Sequence, residues 1–427
     1  MASLPRFADE WLLSRLLEAT GSAPVRVLFK GGADVSPPGS APVATMVIQD
    51  RSTLAELLRD PEMGFGDAYM DGRIEVEGDL VRFLEAIYQG MENSSAAGKW
   101  YSKAASKWMD LLQDNSRHGS RNNIHRHYDL GNDFYKLWLD DQLLYTCAYF
   151  PTPSSTLEHA QIAKMDHVCR KLRLQPGETV VEAGCGWGAL ALHMAREYGV
   201  SVKAYNVSRE QVAFARERAR AEGLSDRVEY IEDDYRAISG KFDVFVSVGM
   251  LEHVGLDHFQ EFSDTIHRSI GDTGRGLLHF IGRNYPAVFS RWIRKHIFPG
   301  GFVPSLRQSL RVLEPRQYAI LDVENLRMHY AKTLEHWLER FELSRQQVTT
   351  MYDSRFVRAW RLYLAGSIAA FRGGQLQLFQ IVFSGSKREP IYWTRDPLYA
   401  DENRVAGDAM PLVEKVREKV RWTHAMS

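Results

Sequence analysis

Three glycines, Gly184, Gly186 and Gly188, stand between a short apolar run at Val180 and Val181, closed by Glu182, and a helical segment starting near Ala189. An apolar run of that length predicts a buried parallel strand. Side chains at the three glycines would keep the backbone away from a ligand lying across the turn. The first N–H groups of the new helix point at the same place. Four later runs also end on polar groups. VSVKAYNVS ends on Asn206 and Ser208, RVEYIEDDYR on Asp233 and Asp234, FDVFVSVGMLEHVG on Glu252 and His253, and GRGLLHFIG on His279. Open α/β sheets bind their ligands at the carboxyl ends of the strands, so these residues are predicted to share one cleft. It would offer carboxylates, an imidazole and exposed backbone donors.

The order of these groups separates two readings. A nicotinamide-binding fold places an acid after its second strand, and here that strand ends in Asn206 and Ser208. The pattern E-x-G-C-G-x-G, an acid after the third strand and FDVFVSVGMLEH together resemble a class I S-adenosylmethionine-dependent methyltransferase. The expected fold is therefore α/β and Rossmann-like. It has a mainly parallel seven-stranded sheet, a helical cap and a small N-terminal α+β domain.

The chain of 427 residues suits one large domain with a smaller companion. Lysine and arginine number 53 against 54 acids, so net charge selects no partner and gives no sign of nucleic acid. Cys147, Cys169 and Cys185 form neither a disulfide framework nor a CxxC metal site. No metal is expected, and the scarcity of cysteine fits a reducing cytoplasm. MASLPRFADEW lacks the basic start and apolar core of a signal peptide. No run approaches the roughly 20 apolar residues of a membrane span. The expectation is a cytoplasmic protein that works on a membrane surface.

Residues 1–92 read as an accessory α+β unit, with strands at Val25–Lys30 and Val43–Ile48 and a helix at Thr53–Leu58. Gly64, Gly66 and Gly72 argue for close backbone packing. Residues 93–124 read as a linker, in which Lys99, Lys103 and Lys107 with Trp100 and Trp108 make the pattern of a basic interfacial helix. Such a helix would meet anionic headgroups. Residues 125–386 hold the cap and catalytic core, with helices starting at Asn132 and near Thr156, then Thr333–Leu343 and Ser354–Phe371. AILDVENL is the sixth strand and QLQLFQIVFSG closes the sheet, while 283–316 falls outside the simple alternation. Residues 387–427 form a charged tail without a readable role.

Seven motifs in order sharpen the resemblance: HYDLGNDFYKLWLD, YTCAYF, EAGCGWGALA, SVGMLEHVG, HFIG, IFPGGFVPS and HYAKTLEHWLERF. Together, from about Asn123 to Gly385, they resemble the cyclopropane-fatty-acyl-phospholipid synthase family, which includes mycolic acid cyclopropane synthases. The resemblance implies methyl transfer from S-adenosylmethionine to a cis double bond of an unsaturated phospholipid in a membrane. The resulting cation then loses a proton and closes to a ring, with bicarbonate as the proton acceptor. It implies a bicarbonate site of Cys147, Glu252, His279, Ile281 and Tyr330. It implies a cofactor pocket of Tyr145, Thr146, Glu182, Gly184, Gly186 and Gly188, with Ser208 and Gln211 toward the ribose and Asp234 toward the adenine. A homodimer is implied by resemblance alone.

The chemistry is consistent with these residue types. An alkene is a weak nucleophile and must be held in line with the methyl group. Water must be excluded, or it traps the cation. Aromatic faces tolerate positive charge, and Tyr128, Phe134, Tyr135, Trp138, Tyr145, Tyr149 and Phe150 are abundant in the cap, mostly as packing. Cys147 reads as a small buried residue rather than a nucleophile. Two alternatives remain: a fatty-acyl methyltransferase giving a 10-methylene or methyl-branched chain, and a lipid-binding protein without activity.

Overall fold

The apolar run ahead of the glycines forms the centre of a seven-stranded sheet. The computed structural model describes residues 6–39, 41–93, 130–387 and 393–399. The basic segment at Lys99–Trp108, and Tyr128, lie outside them. The first four strands belong to an N-terminal sheet: β1 (Arg26–Phe29), β2 (Asp34–Val35), β3 (Ala44–Ile48) and β4 (Ile74–Gly78), in the order β2-β1-β3-β4. β1 and β3 run parallel and the outer pairs antiparallel. Along β3 buried and half-buried residues alternate, as a sheet with one apolar face requires.

The main sheet comprises β5 (Thr179–Ala183), β6 (Ser201–Asn206), β7 (Val228–Glu232), β8 (Val244–Val248), β9 (Arg275–Gly282), β10 (Ala319–Asn325) and β11 (Gln377–Ser384). Its order is β10-β11-β9-β8-β5-β6-β7. β5 to β9 are parallel, and Val180, Val181 and Val244 to Val246 are fully buried, as strands covered by helices on both faces must be. The expectation for the last strand needs correction: β11 does not close the sheet but lies between β9 and β10, antiparallel to both. The strand order reverses between β5 and β8, which places the ligand crevice at their carboxyl ends.

The helix predicted from Thr333 starts at Arg327, six residues earlier, and runs to Leu343. The helix Ser354–Gly373 packs against it and against the N-terminal helix Leu80–Asn93. The N-terminal sheet and these helices contribute to one continuous apolar cluster, from Leu13 and Ile48 through Leu84 to Trp360 and Ile368.

Residues 283–316 supply the other half of that contact. The helix Arg291–His296 docks on the helix Pro61–Met70. Arg291 N and Ser290 Oγ donate to Glu62 at 2.6 and 2.8 Å, and His296 meets Asp67 at 2.7 Å. Gly66 is required here, because a Cβ would lie 2.2 Å from the Trp292 ring. Gly64 backs onto Glu56, whereas Gly72 has open space and only serves a turn at φ +74°. Glu389–Ser427 form a unit of their own, described only at 393–399, where Asp396–Tyr399 is a short helix. Among the described residues no helix is long and apolar enough to cross a membrane.

Candidate active site

β5 runs through Glu182 to Ala183, and the chain then turns through three glycines, all at positive φ, into the helix Ala189–Tyr198. The structure separates their tasks. A Cβ on Gly184 would lie 3.0 Å from Met250, and one on Gly188 would lie 2.5 Å from the Tyr230 hydroxyl, which donates to Gly188 O at 2.6 Å. Those two glycines are required by protein packing. A Cβ on Gly186 would meet nothing within 4 Å. Gly184 and Gly188 thus face protein atoms, and Gly186 is the position of the turn whose open side leaves room for a ligand.

Around this turn the polar residues divide into committed and available groups. Asn206 Nδ2 donates to Gly186 O at 3.1 Å and to Gln211 Oε1 at 2.8 Å, which braces the turn and leaves Gln211 Nε2 buried without a partner. Ser208 is fully buried and caps the helix Arg209–Ala221 by accepting from Gln211 N, so its hydroxyl already has a task. Asp234 pairs with Arg236 at 3.0 Å and accepts from its backbone N–H, which holds the carboxylate at the mouth of β7. The Glu182 carboxyl is buried with Oε2 unpartnered, and burial pushes it well above the usual carboxylate range. A buried acceptor of this kind suits a ligand carrying positive charge.

Lys164, which the sequence reading missed, reaches the same place. It is fully buried on the helix Leu157–Leu172 and donates to Thr146 Oγ1 at 2.9 Å. Burial drives its pKa down, while the nearby Asp140 pulls it up. Thr146 is thus held by Lys164 and, through its carbonyl, by Gln161 at 2.9 Å. Tyr145 meets Tyr363, hydroxyl to hydroxyl, at 2.8 Å.

A second polar centre sits one strand away. Glu252, on the short helix after β8, accepts from Ile281 N at 2.7 Å through Oε1, and its Oε2 is sealed from solvent without a partner. Among the described residues no charged side chain compensates it, and burial raises its pKa to about 7. His279 and Ile281 lie on the same face of β9. The His279 ring is buried, and its Nε2 has no hydrogen-bond partner. Burial, with Lys164 and Lys171 nearby, holds this imidazole well below its usual pKa. An unpartnered carboxyl oxygen and an unpartnered imidazole nitrogen thus occur in a region that water does not reach. Cys147 is fully buried, with Sγ 3.1 Å from Ala148 O, and burial pushes the thiol far above neutrality. Burial thus disfavours the thiolate. Tyr330 is buried against Phe371 and Trp337, with ring centroids at 4.7 and 5.9 Å.

The cap aromatics are core. Phe134, Tyr135 and Trp138 are fully buried, and Phe134 packs edge-on against Trp138, Tyr352, Phe356 and Trp360. Tyr149 is different, being sandwiched between His167 and His329 at 4.3 and 4.8 Å.

The Glu252 environment leads to a pH prediction. Its folded pKa of about 7 lies above the usual carboxylate value, so the folded protein holds a proton there that the unfolded chain has released. An anion beside Glu252 meets a neutral carboxyl below that pH and a like charge above it. Anion affinity should therefore fall as pH rises through about 7, and Glu252→Gln should flatten that profile. Apparent bicarbonate constants for both proteins between about pH 6 and 8 check this. The same slope in the variant would show that another group controls binding.

Comparison with known proteins agrees with this geometry. Residues 115–381 match the family model described as mycolic acid cyclopropane synthetase, and residues 12–98 match a domain of unknown function. A cyclopropane-fatty-acyl-phospholipid synthase of Escherichia coli K12 is 37% identical over 348 residues, covering 81% of this chain and 89% of that protein. A probable fatty acid methyltransferase of Pseudomonas putida is 35% identical over 375 residues, covering 84% and 93%. The solved mycolic acid cyclopropane synthase complexed with SAH and CTAB superposes with a TM-score of 0.59 at 30% identity, covering 62% of this chain and 97% of that one. With the sheet order, the Gly186 turn and these matches in hand, the chain belongs to the mycolic acid cyclopropane synthetase family of S-adenosylmethionine-dependent methyltransferases.

Proposed function

We propose that the protein is a cyclopropane-fatty-acyl-phospholipid synthase that delivers a methylene to a cis double bond of an unsaturated phospholipid chain. One observation carries the reading: the buried Glu252 Oε2 and His279 Nε2, which have no hydrogen-bond partner among the described residues. S-adenosylmethionine supplies the electrophilic methyl group when bound. Gly186, Gln211, Asp234 and Glu182 are the residues to hold it, and Tyr145 and Thr146 border it.

After methyl transfer the substrate is a carbocation that must lose a proton without meeting water. The buried aromatic cap excludes water. A small oxyanion fits the orphaned atoms: a donor at His279 Nε2 would hold it, and a protonated Glu252 would share its proton with it. Bicarbonate has that chemistry and is the acceptor in this proposal. Methyl-branching or 10-methylene-forming enzymes share the first step and differ in where the proton is lost. Turnover to S-adenosylhomocysteine on vesicles of cis-unsaturated phospholipid, against fully saturated vesicles, tests the proposal. Equal rates on both would overturn it.

The phospholipid part of the proposal draws on Arg283. This residue follows β9 in extended backbone bridged to Ser305, two residues beyond Ile281. Its guanidinium makes no ion pair with a described residue, its Nε is buried without a partner, and burial pulls its pKa down. It lies about 13 Å along the strand from His279, a span commensurate with that from a lipid phosphate to the middle of its acyl chain. A charge-assisted hydrogen bond is worth about 1.5–3 kcal/mol. Arg283→Met should raise KM for phospholipid vesicles about tenfold or more with kcat little changed. An unchanged KM would detach the phosphate from Arg283. The proposed workplace is an anionic bilayer surface, on the pattern of Lys99, Lys103 and Lys107.

A further inference from the structure

Three polar residues stand side by side across three strands. Glu324 on β10 pairs in register with Gln380 on β11, which pairs in register with His279 on β9. Over them lies the helix Leu157–Leu172, whose buried face carries Lys164, His167 and Lys171. Lys171 Nζ donates to Glu324 Oε2 at 2.5 Å and to Gln380 Oε1 at 2.8 Å. His167 Nε2 meets the same Glu324 oxygen at 2.7 Å, and these two partners hold Glu324 ionised, with its pKa pulled down to about 2. Gln380 Nε2 lies 3.0 Å from His279 Nδ1.

The donor and acceptor roles in this row follow from chemistry alone. An ammonium only donates, so the Gln380 atom facing Lys171 must be the carbonyl oxygen. The amide nitrogen then faces His279, and an amide N–H₂ only donates. His279 Nδ1 must therefore accept, and in a neutral imidazole the proton then sits on Nε2. Burial and the neighbouring lysines keep the ring neutral.

We infer that Glu324, Lys171 and Gln380 are positioning residues that lock His279 in its Nε2–H tautomer, so that it presents a donor, not a base, to an oxyanion in the active site. This inference rests on the oxyanion reading above for its purpose and on the side-chain geometry for its content. It has a mechanistic consequence. Nε2 already carries a proton and the Nδ1 lone pair is occupied, so His279 cannot take the proton from the methylated chain. In this reading the anion is the proton acceptor.

Gln380→Glu is the discriminating variant. It keeps the shape, but the new carboxylate accepts from Nδ1–H while still pairing with Lys171, so the imidazole proton should move from Nε2 to Nδ1. Long-range ¹H–¹⁵N NMR of histidine-labelled protein reads the tautomer directly, with His279→Asn used for assignment. The wild type should show Nε2–H and Gln380→Glu should show Nδ1–H, with bicarbonate affinity weakened about tenfold or more through the lost donor. Nδ1–H in the wild type, or Nε2–H persisting in the variant, overturns the inference. The wild-type spectrum alone decides if the variant does not fold. A tautomer flip with an unchanged bicarbonate response would support the lock and overturn the bicarbonate reading instead.

Discussion

Replacing Gly186 by valine should abolish S-adenosylmethionine binding in a protein that still folds. Gly186 is the one glycine of its turn whose added Cβ meets no protein atom within 4 Å, so the new side chain enters the space above the backbone at the carboxyl edge of β5. Its φ of +54° adds strain for any L-residue, on the order of 1–2 kcal/mol. That is small beside the stability of a well-packed sheet and leaves the fold standing. Gly188→Ala is the contrast. There the Cβ would strike the Tyr230 hydroxyl, so the loss should appear first in the melting temperature. Calorimetry with S-adenosylmethionine on the folded variants checks both. Unchanged affinity in folded Gly186→Val would remove the turn from the cofactor site.

His279→Ala should slow turnover by about 10²–10³ while weakening S-adenosylmethionine binding far less. Removing one donor from a preorganised anion site costs this much when the donor acts on charge that develops during the reaction. The substitution also leaves Gln380 Nε2 without its acceptor, with a stability cost of about 1–3 kcal/mol that a thermal melt can separate from the kinetic effect. Depleting bicarbonate should slow the wild type, and adding it back should restore the rate. The variant should need a higher concentration. A rate indifferent to bicarbonate in both proteins would make a side chain the base, with Glu252 first in line, and would strengthen the methyl-branching alternative.

What was legible in the chain followed the range of the interactions involved. The glycine turn is local: an apolar strand, small residues and a helix start lie within a few positions, and they stand where expected. The task of each glycine is not local. Met250, after β8, and Tyr230, in β7, decide which turn position is filled, and neither can be placed against the turn without the sheet order. Glu252 follows β8 as the strand-end rule expects, whereas His279 lies within β9, level with Val248 at the end of β8, which only the register shows. Lys171, Gln380 and Glu324 were missed because their meeting depends on the register of β11 against two partners at once. The apolar run QLFQIVFS carries no mark of running antiparallel between two strands. Nothing local to Lys164 and Lys171 in the sequence marks them as buried, and only the packed helix shows it. The segment 283–316 looked like an interruption because its partners Asp60, Glu62 and Asp67 lie more than two hundred residues earlier.

Ring formation on a phospholipid acyl chain is tested by the fate of a trideuterated methyl group. The protein is incubated with S-adenosylmethionine carrying a CD₃ group and with cis-unsaturated phospholipid vesicles, and the released acyl chains are examined by mass and proton NMR spectra. The expected product is a cis-cyclopropane whose new ring carbon keeps two of the three deuterons, the third having left with the proton acceptor. An exocyclic methylene or a methyl branch on the chain, or no labelled acyl product at all, would contradict it.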